Sequence, residues 1–259
     1  MQKSFGMLPD GPKNWIFLRG LARESGHWGS FLDTFHETFP ETVVEAIDLP
    51  GVGEMLSQDC PISIEGMTEL VRHEAKLRFP VDRFGILAIS LGGMVAMEWM
   101  QLYPSDIEAA VLINSSSKDS AFFKRLRFQI WPELIRVLGT TNLRDREKKL
   151  INLLMNSDEA KRIALPLWAK IATERPVTPL NFSRQLFAAA RFAGLKSKPN
   201  IPVLLLNSLG DRLVDPSCSE SLQQKFQWKL ERHAWAGHDL PWDAGFWVCE
   251  RISRFFSLI

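Results

Sequence analysis

Ser90 closes a mostly apolar run and is followed, after Leu91, by two glycines, in R-F-G-I-L-A-I-S-L-G-G-M-V-A-M-E-W (83–99). A strand that turns directly into a helix holds the residue at the turn in a strained backbone conformation, with its side chain clear of the sheet edge. The residues two before and two after must be small for the turn to close, and here they are Ala88 and Gly92. The N–H of Leu91 would open the helix and could donate to an oxyanion. Such a hydroxyl becomes a nucleophile when a base takes its proton. Five histidines are available. His73, in V-R-H-E-A-K, reads as solvated surface, and His36 lies in a helix between Phe35 and Glu37. His238 sits in W-A-G-H-D-L-P-W, a loop after the last strand signal. A carboxylate to orient it is offered by N-S-L-G-D-R-L-V-D-P, directly after I-P-V-L-L-L, as Asp211 or its rival Asp215. Asp239 is expected to serve the loop backbone. Taken singly, these residues read as well as a helix cap, a loop histidine and a turn aspartate. Together, each after a strand, they point to acyl transfer.

The elements that must carry them follow from periodicity. Strands are predicted at 15–18, 42–47, 84–89 and 109–113, with helices at 29–39, 63–77 (Ser63 as N-cap) and 91–102. This alternation argues for parallel βαβ units. From about 118 to 198 only helical patterns occur. Strand signals return at 201–206 and 228–233, and a last helix is predicted at 244–258. The expected architecture is α/β, a mostly parallel central sheet flanked by helices, with a core of residues 1–117 and 199–259 and a helical cap of residues 118–198.

Composition narrows the function classes. The chain has 259 residues, 46% hydrophobic and 24% charged, as in ordinary globular proteins. A formal net charge of +1 gives no reason to expect nucleic acid. Three separated cysteines, Cys60, Cys218 and Cys249, form neither a disulfide framework nor a metal pattern, so a reducing compartment and a cytoplasmic location are expected. The first twelve residues lack the apolar core of a leader peptide. No run approaches the roughly 20 apolar residues of a membrane span, so integral membrane association is not expected. Nothing marks an oligomer interface.

The segments L-R-G-L, D-L-P-G-V-G-E, A-I-S-L-G-G, G-D-R-L-V-D-P and A-G-H-D-L-P together resemble the α/β-hydrolase fold family over nearly the whole chain. Among its members the sequence looks most like small capped carboxylesterases, including the pimeloyl-carrier-protein esterases of biotin synthesis. The resemblance implies a triad of Ser90, Asp211 and His238, its G-D-x-x-V pattern favouring Asp211 over Asp215. It implies an oxyanion site from the N–H groups of Leu21 and Leu91. Where many relatives carry His-Gly this chain has Arg19-Gly20. Arg19 is expected to tie the loop to a carboxylate such as Asp48 or Glu24, with an anionic substrate as the alternative. His27 and Trp28 are expected to pack beside this loop.

The expected reaction is hydrolysis of a carboxylic ester or thioester through an acyl-enzyme, with no metal or organic cofactor. The substrate is a small ester or acyl compound, free or carrier-bound. An acyltransferase, a C–C bond hydrolase and a cofactor-free haloperoxidase share the triad and stay open, as does a non-catalytic ligand-binding homologue. Trp28, Trp131 and Trp168, with Met155, are candidates for the pocket wall. The basic, aromatic stretch A-F-F-K-R-L-R-F-Q-I-W reads as a cap hinge with Lys124, Arg125 and Arg127 snorkelling to water, with contact to a membrane or a lipid carrier as the alternative.

Overall fold

The structure is a computed structural model and describes residues 11–258; the first ten residues of the expected leaderless terminus lie outside them. The elements in chain order are β1 (Asn14–Leu18), α1 (Phe31–Thr38), β2 (Val43–Ile47), α2 (Ile64–Arg78), β3 (Phe84–Ile89), α3 (Leu91–Leu102) and β4 (Ile107–Ile113). Then come α4 (Phe122–Arg125), α5 (Trp131–Leu138), α6 (Leu143–Leu154), α7 (Asp158–Glu174), α8 (Pro179–Arg191), β5 (Val203–Ser208), α9 (Ser217–Phe226), β6 (Lys229–His233) and α10 (Leu240–Phe256).

The six strands form one all-parallel sheet in the order β2-β1-β3-β4-β5-β6. The central strand β3 is buried along its whole length, because helices cover both faces of the sheet. Successive residues alternate between two cores: Ile16, Leu18, Ile86 and Ala88 share one with α2 and α3. Trp15, Phe17, Leu87 and Ile89 share the other with α1 and α10. Ser63 caps α2 by accepting from the Gly66 N–H at 3.1 Å.

Of the boundaries that differ from the sequence expectation, two have a clear physical cause. β5 starts at Val203 because Pro202 has no N–H to donate, and it continues through Asn207 and Ser208, which pair with Arg232 and His233 of β6. The last helix starts at Leu240 and kinks at Ala244 (φ −152°, ψ 48°), which is where its apolar periodicity begins. Residues between β4 and β5 run as α4 to α8. No helix among the described residues is long and apolar enough to cross a membrane.

Candidate active site

The carboxyl ends of β1, β3 and β4 and the loops after β5 and β6 open onto one cavity of about 630 Å³, the usual ligand edge of a parallel sheet. Ser90, Leu91, Leu21 and His238 all line it. Ser90 has φ 57° and ψ −117°, a conformation that costs a non-glycine residue about 1–3 kcal/mol. Its backbone is held on both sides: its N–H donates to Ile113 O at 2.9 Å, and its carbonyl accepts from Ser115 Oγ at 2.8 Å. Leu91 begins α3, so its N–H has no partner one turn back.

Gly92 must be small because of the chain at the end of β1. A Cβ on Gly92 would lie 2.5 Å from Arg19 O and 2.6 Å from Leu18 O, so the close approach is of β1 to α3, not of Ala88 to Gly92. A Cβ on Gly20 would meet Ser90 Cβ at 3.1 Å, so the Arg19-Gly20-Leu21 loop passes directly against the serine. That loop is fixed from above by Gln185 of α8. Its Oε1 accepts from Ala22 N at 2.8 Å and its Nε2 donates to Pro50 O at 3.0 Å. Gln185 is fully buried, and nothing in its helical sequence context marks it.

His238 Nδ1 is 2.7 Å from Asp211 Oδ2, and both residues are buried. The other oxygen, Oδ1, accepts from Leu213 N at 2.7 Å and Val214 N at 3.0 Å, which fixes the carboxylate plane. Asp215 instead accepts from Ser217 N at 3.0 Å, at the start of α9. Asn114 joins β4 to the histidine loop. It takes φ 46°, which asparagine tolerates better than most residues, and donates to His238 O at 2.8 Å and Ser208 Oγ at 3.0 Å. Its place directly after an apolar strand is the signal that could have singled it out.

Several expected partners are exchanged. Arg19 pairs with Asp239 through two hydrogen bonds of 3.2 and 2.5 Å, not with Asp48 or Glu24, and its guanidinium lies 4.8 Å from the Trp28 ring centroid. Asp48 accepts from the Ser25 and Glu54 N–H groups, and Glu24 pairs with Arg175. The loop-backbone role expected of Asp239 falls to Asp243, which accepts from Gly237, Asn156 and Ser157 N–H groups at 2.7–2.9 Å.

The tryptophans do not line the cavity. Trp28 is fully buried against Phe17 and Phe31, Trp168 and Met155 are buried among α6 and α7, and Trp131 is half exposed on α5. Aliphatic side chains such as Leu134, Val137, Leu150, Ile171 and Leu186 of the inserted helices form the wall. Arg125 is buried rather than snorkelling, and Arg127 donates to Asp211 O at 2.9 Å.

His27 lies on the wall inside a charged cluster. Arg23 Nη1 is 3.3 Å from its Nε2 and also donates to Glu147 at 2.9 Å. Arginine can only donate, so Nε2 accepts and the imidazole is neutral. Burial, then Arg23 and Arg19, hold its pKa well below the ordinary 6.5. A histidine depressed on folding removes stability below its unfolded pKa, because the unfolded chain binds the proton first. Wild type should therefore lose stability through this residue as the pH falls below 6.5, the unfolded value. His27→Gln should flatten the slope of stability against pH in that window, measured by urea unfolding. An unchanged slope would show that His27 titrates normally.

Among the described residues no group of three or more His, Cys, Asp or Glu side chains could hold a metal ion.

The model of a family described as "alpha/beta hydrolase fold" matches residues 16–244. No curated protein matches the sequence. Among solved structures, the enol-lactonase from Burkholderia xenovorans superposes with a TM-score of 0.74 at 16% identity, covering 96% of this chain and 93% of that one. A thermophilic esterase from Thermogutta terrifontis gives 0.72 at 16% identity, covering 96% and 90%. The Rhodococcus esterase RhEst1 gives 0.72 at 18% identity, covering 95% and 90%. At these identities the likeness is one of fold.

Proposed function

Since the chain belongs to the alpha/beta hydrolase family, we propose that it is a serine hydrolase cleaving a carboxylic ester or thioester with Ser90, His238 and Asp211. The observation that carries this reading is the buried 2.7 Å contact of His238 Nδ1 with Asp211 Oδ2, at the cavity that Ser90 lines from its strained turn. With Nδ1–H given to Asp211, Nε2 is left as the base. His238 takes the Ser90 proton as Oγ attacks the carbonyl, and Asp211 stabilises the imidazolium. The N–H groups of Leu21 and Leu91 receive the oxyanion, each supplying roughly 3 kcal/mol to the transition state. The protonated His238 gives its proton to the leaving group. Water then attacks the acyl carbon as His238 takes its proton; the bond from that carbon to Ser90 Oγ breaks, His238 returns the proton to Oγ, and the carboxylic acid leaves.

The helices between β4 and β5 act in this reading as the cap that selects the acyl group, because their aliphatic side chains supply much of the wall. The esterases and the enol-lactonase of like fold act on ester or lactone carbonyls by their names, the electrophile assigned here.

A fluorophosphonate probe tests the nucleophile directly. Wild type should be labelled, and Ser90→Ala and His238→Ala should not. Labelling that persists in folded Ser90→Ala, or none in folded wild type, would remove the proposal and leave a ligand-binding role. A panel of p-nitrophenyl esters and acyl thioesters then separates the two substrate classes.

A further inference from the structure

The charge balance on the cavity wall is uneven. Five arginines line it, Arg19, Arg23, Arg125, Arg146 and Arg175, against three carboxylates, Glu24, Glu147 and Asp239. Each carboxylate is already paired: Asp239 with Arg19, Glu147 with Arg23, Glu24 with Arg175. His27 is neutral and adds nothing. Arg146 is half-buried and open to water screening. Arg125 is only 8% exposed and, among the described residues, has no carboxylate beside it.

Its surroundings are polar but uncharged. Nε donates to Ser116 Oγ at 3.3 Å, Nη1 to Ala190 O at 3.2 Å and Nη2 to Ala189 O at 2.6 Å. The remaining contact of Nη2 is the Met94 sulfur at 3.9 Å, a weak acceptor. Five N–H groups thus meet three oxygens and one sulfur. The two carbonyls belong to the last turn of α8, whose dipole offsets part of the charge. Burial still holds this guanidinium below its ordinary pKa. An arginine in such a place costs stability unless a counter-anion arrives, and the cavity is the open route to it.

Resting on the serine-hydrolase reading, we infer that Arg125 is an anion subsite, and that the substrate is an ester or thioester whose acyl part carries a second, free carboxylate. Met94, which touches the guanidinium, lies one turn of α3 after Ser90, so a few carbons separate that carboxylate from the scissile carbonyl. The planar fork suits a carboxylate, and the aliphatic wall suits the linking chain.

The test compares monomethyl glutarate and monomethyl adipate with methyl pentanoate and methyl hexanoate. Wild type should favour the carboxylated ester of each pair in kcat/KM. Arg125→Met should lower that preference on the order of tenfold to a hundredfold, the range for a hydrogen-bonded charge. Arg125→Lys should retain part of it. A purely structural Arg125, anchoring α8, would change both substrates alike and leave the ratio unmoved, which would overturn the inference. So would a wild type indifferent to the carboxylate, or a preference lost in Arg146→Met but kept in Arg125→Met. Should Arg125→Met not fold, the same ratio in Arg125→Lys decides. Calorimetry on Ser90→Ala, titrating monomethyl adipate against methyl hexanoate with and without Arg125→Met, reads the subsite without turnover. Failure of the hydrolase reading and failure of the subsite are thereby separated.

Discussion

Asp211→Asn should lower kcat toward an activated ester on the order of ten-thousand-fold, with the fold intact. The carboxamide keeps the shape of the carboxylate, and its oxygen can still accept from Leu213 and Val214 N–H groups. Its NH2 then faces His238 Nδ1, where Oδ2 had accepted at 2.7 Å. That geometry selects the imidazole tautomer with the proton on Nε2, which cannot take a proton from Ser90. The loss should appear in kcat more than in KM, because Asp211 is not on the cavity wall. Asp215→Asn should stay within a few-fold of wild type, since Asp215 meets Ser217 and not the histidine. The opposite pattern, with Asp215→Asn inactive and Asp211→Asn active, would overturn the assignment of the acid.

The second large effect is on stability. The side chains of Arg19 and Asp239 are 2% and 3% exposed and answer each other with two hydrogen bonds. Asp239→Leu leaves the guanidinium buried with only the Trp28 ring beside it and should cost about 3–5 kcal/mol. Arg19→Met should cost a similar amount. The double variant Arg19→Met, Asp239→Leu should recover much of that loss, because two apolar side chains of similar volume replace two desolvated charges. Urea midpoints at constant slope measure the cycle. Additive losses in the double variant would mean that the two residues act independently. Arg19 precedes the loop that passes against Ser90, and Asp239 follows His238. The pair therefore clamps two loops of the candidate site, and activity of the folded double variant would read that clamping separately from stability.

The local features of the chain were legible because their causes are local. Apolar runs bounded by turns mark β1, β3, β4 and β5, and the break into helical periodicity after β4 marks α4 to α8. The strained turn at Ser90 follows from a strand ending in a serine with small residues around it, although the atoms that require Gly92 to be small are the Leu18 and Arg19 carbonyls where β1 ends. The hydrogen bond of His238 to Asp211 joins two loops whose positions after β6 and β5 put them side by side.

Partner choice was not legible. Arg19 could be read as needing a carboxylate, but which one depends on three loops meeting at one sheet edge, and residues 220 apart in sequence make the pair. Gln185 looks like any polar residue on a helix until α8 is laid over Ala22 and Pro50. Trp28, Trp131 and Trp168 are alike in sequence as large apolar side chains, yet two pack into cores and one faces outward. Arg125 reads as a solvated side chain on a basic helix, and burial against the last turn of α8 decides otherwise. Periodicity and turn sterics act over a few residues and are written in the chain. The pairing of buried charges depends on distance and on exclusion of water, and these exist only once the chain has folded.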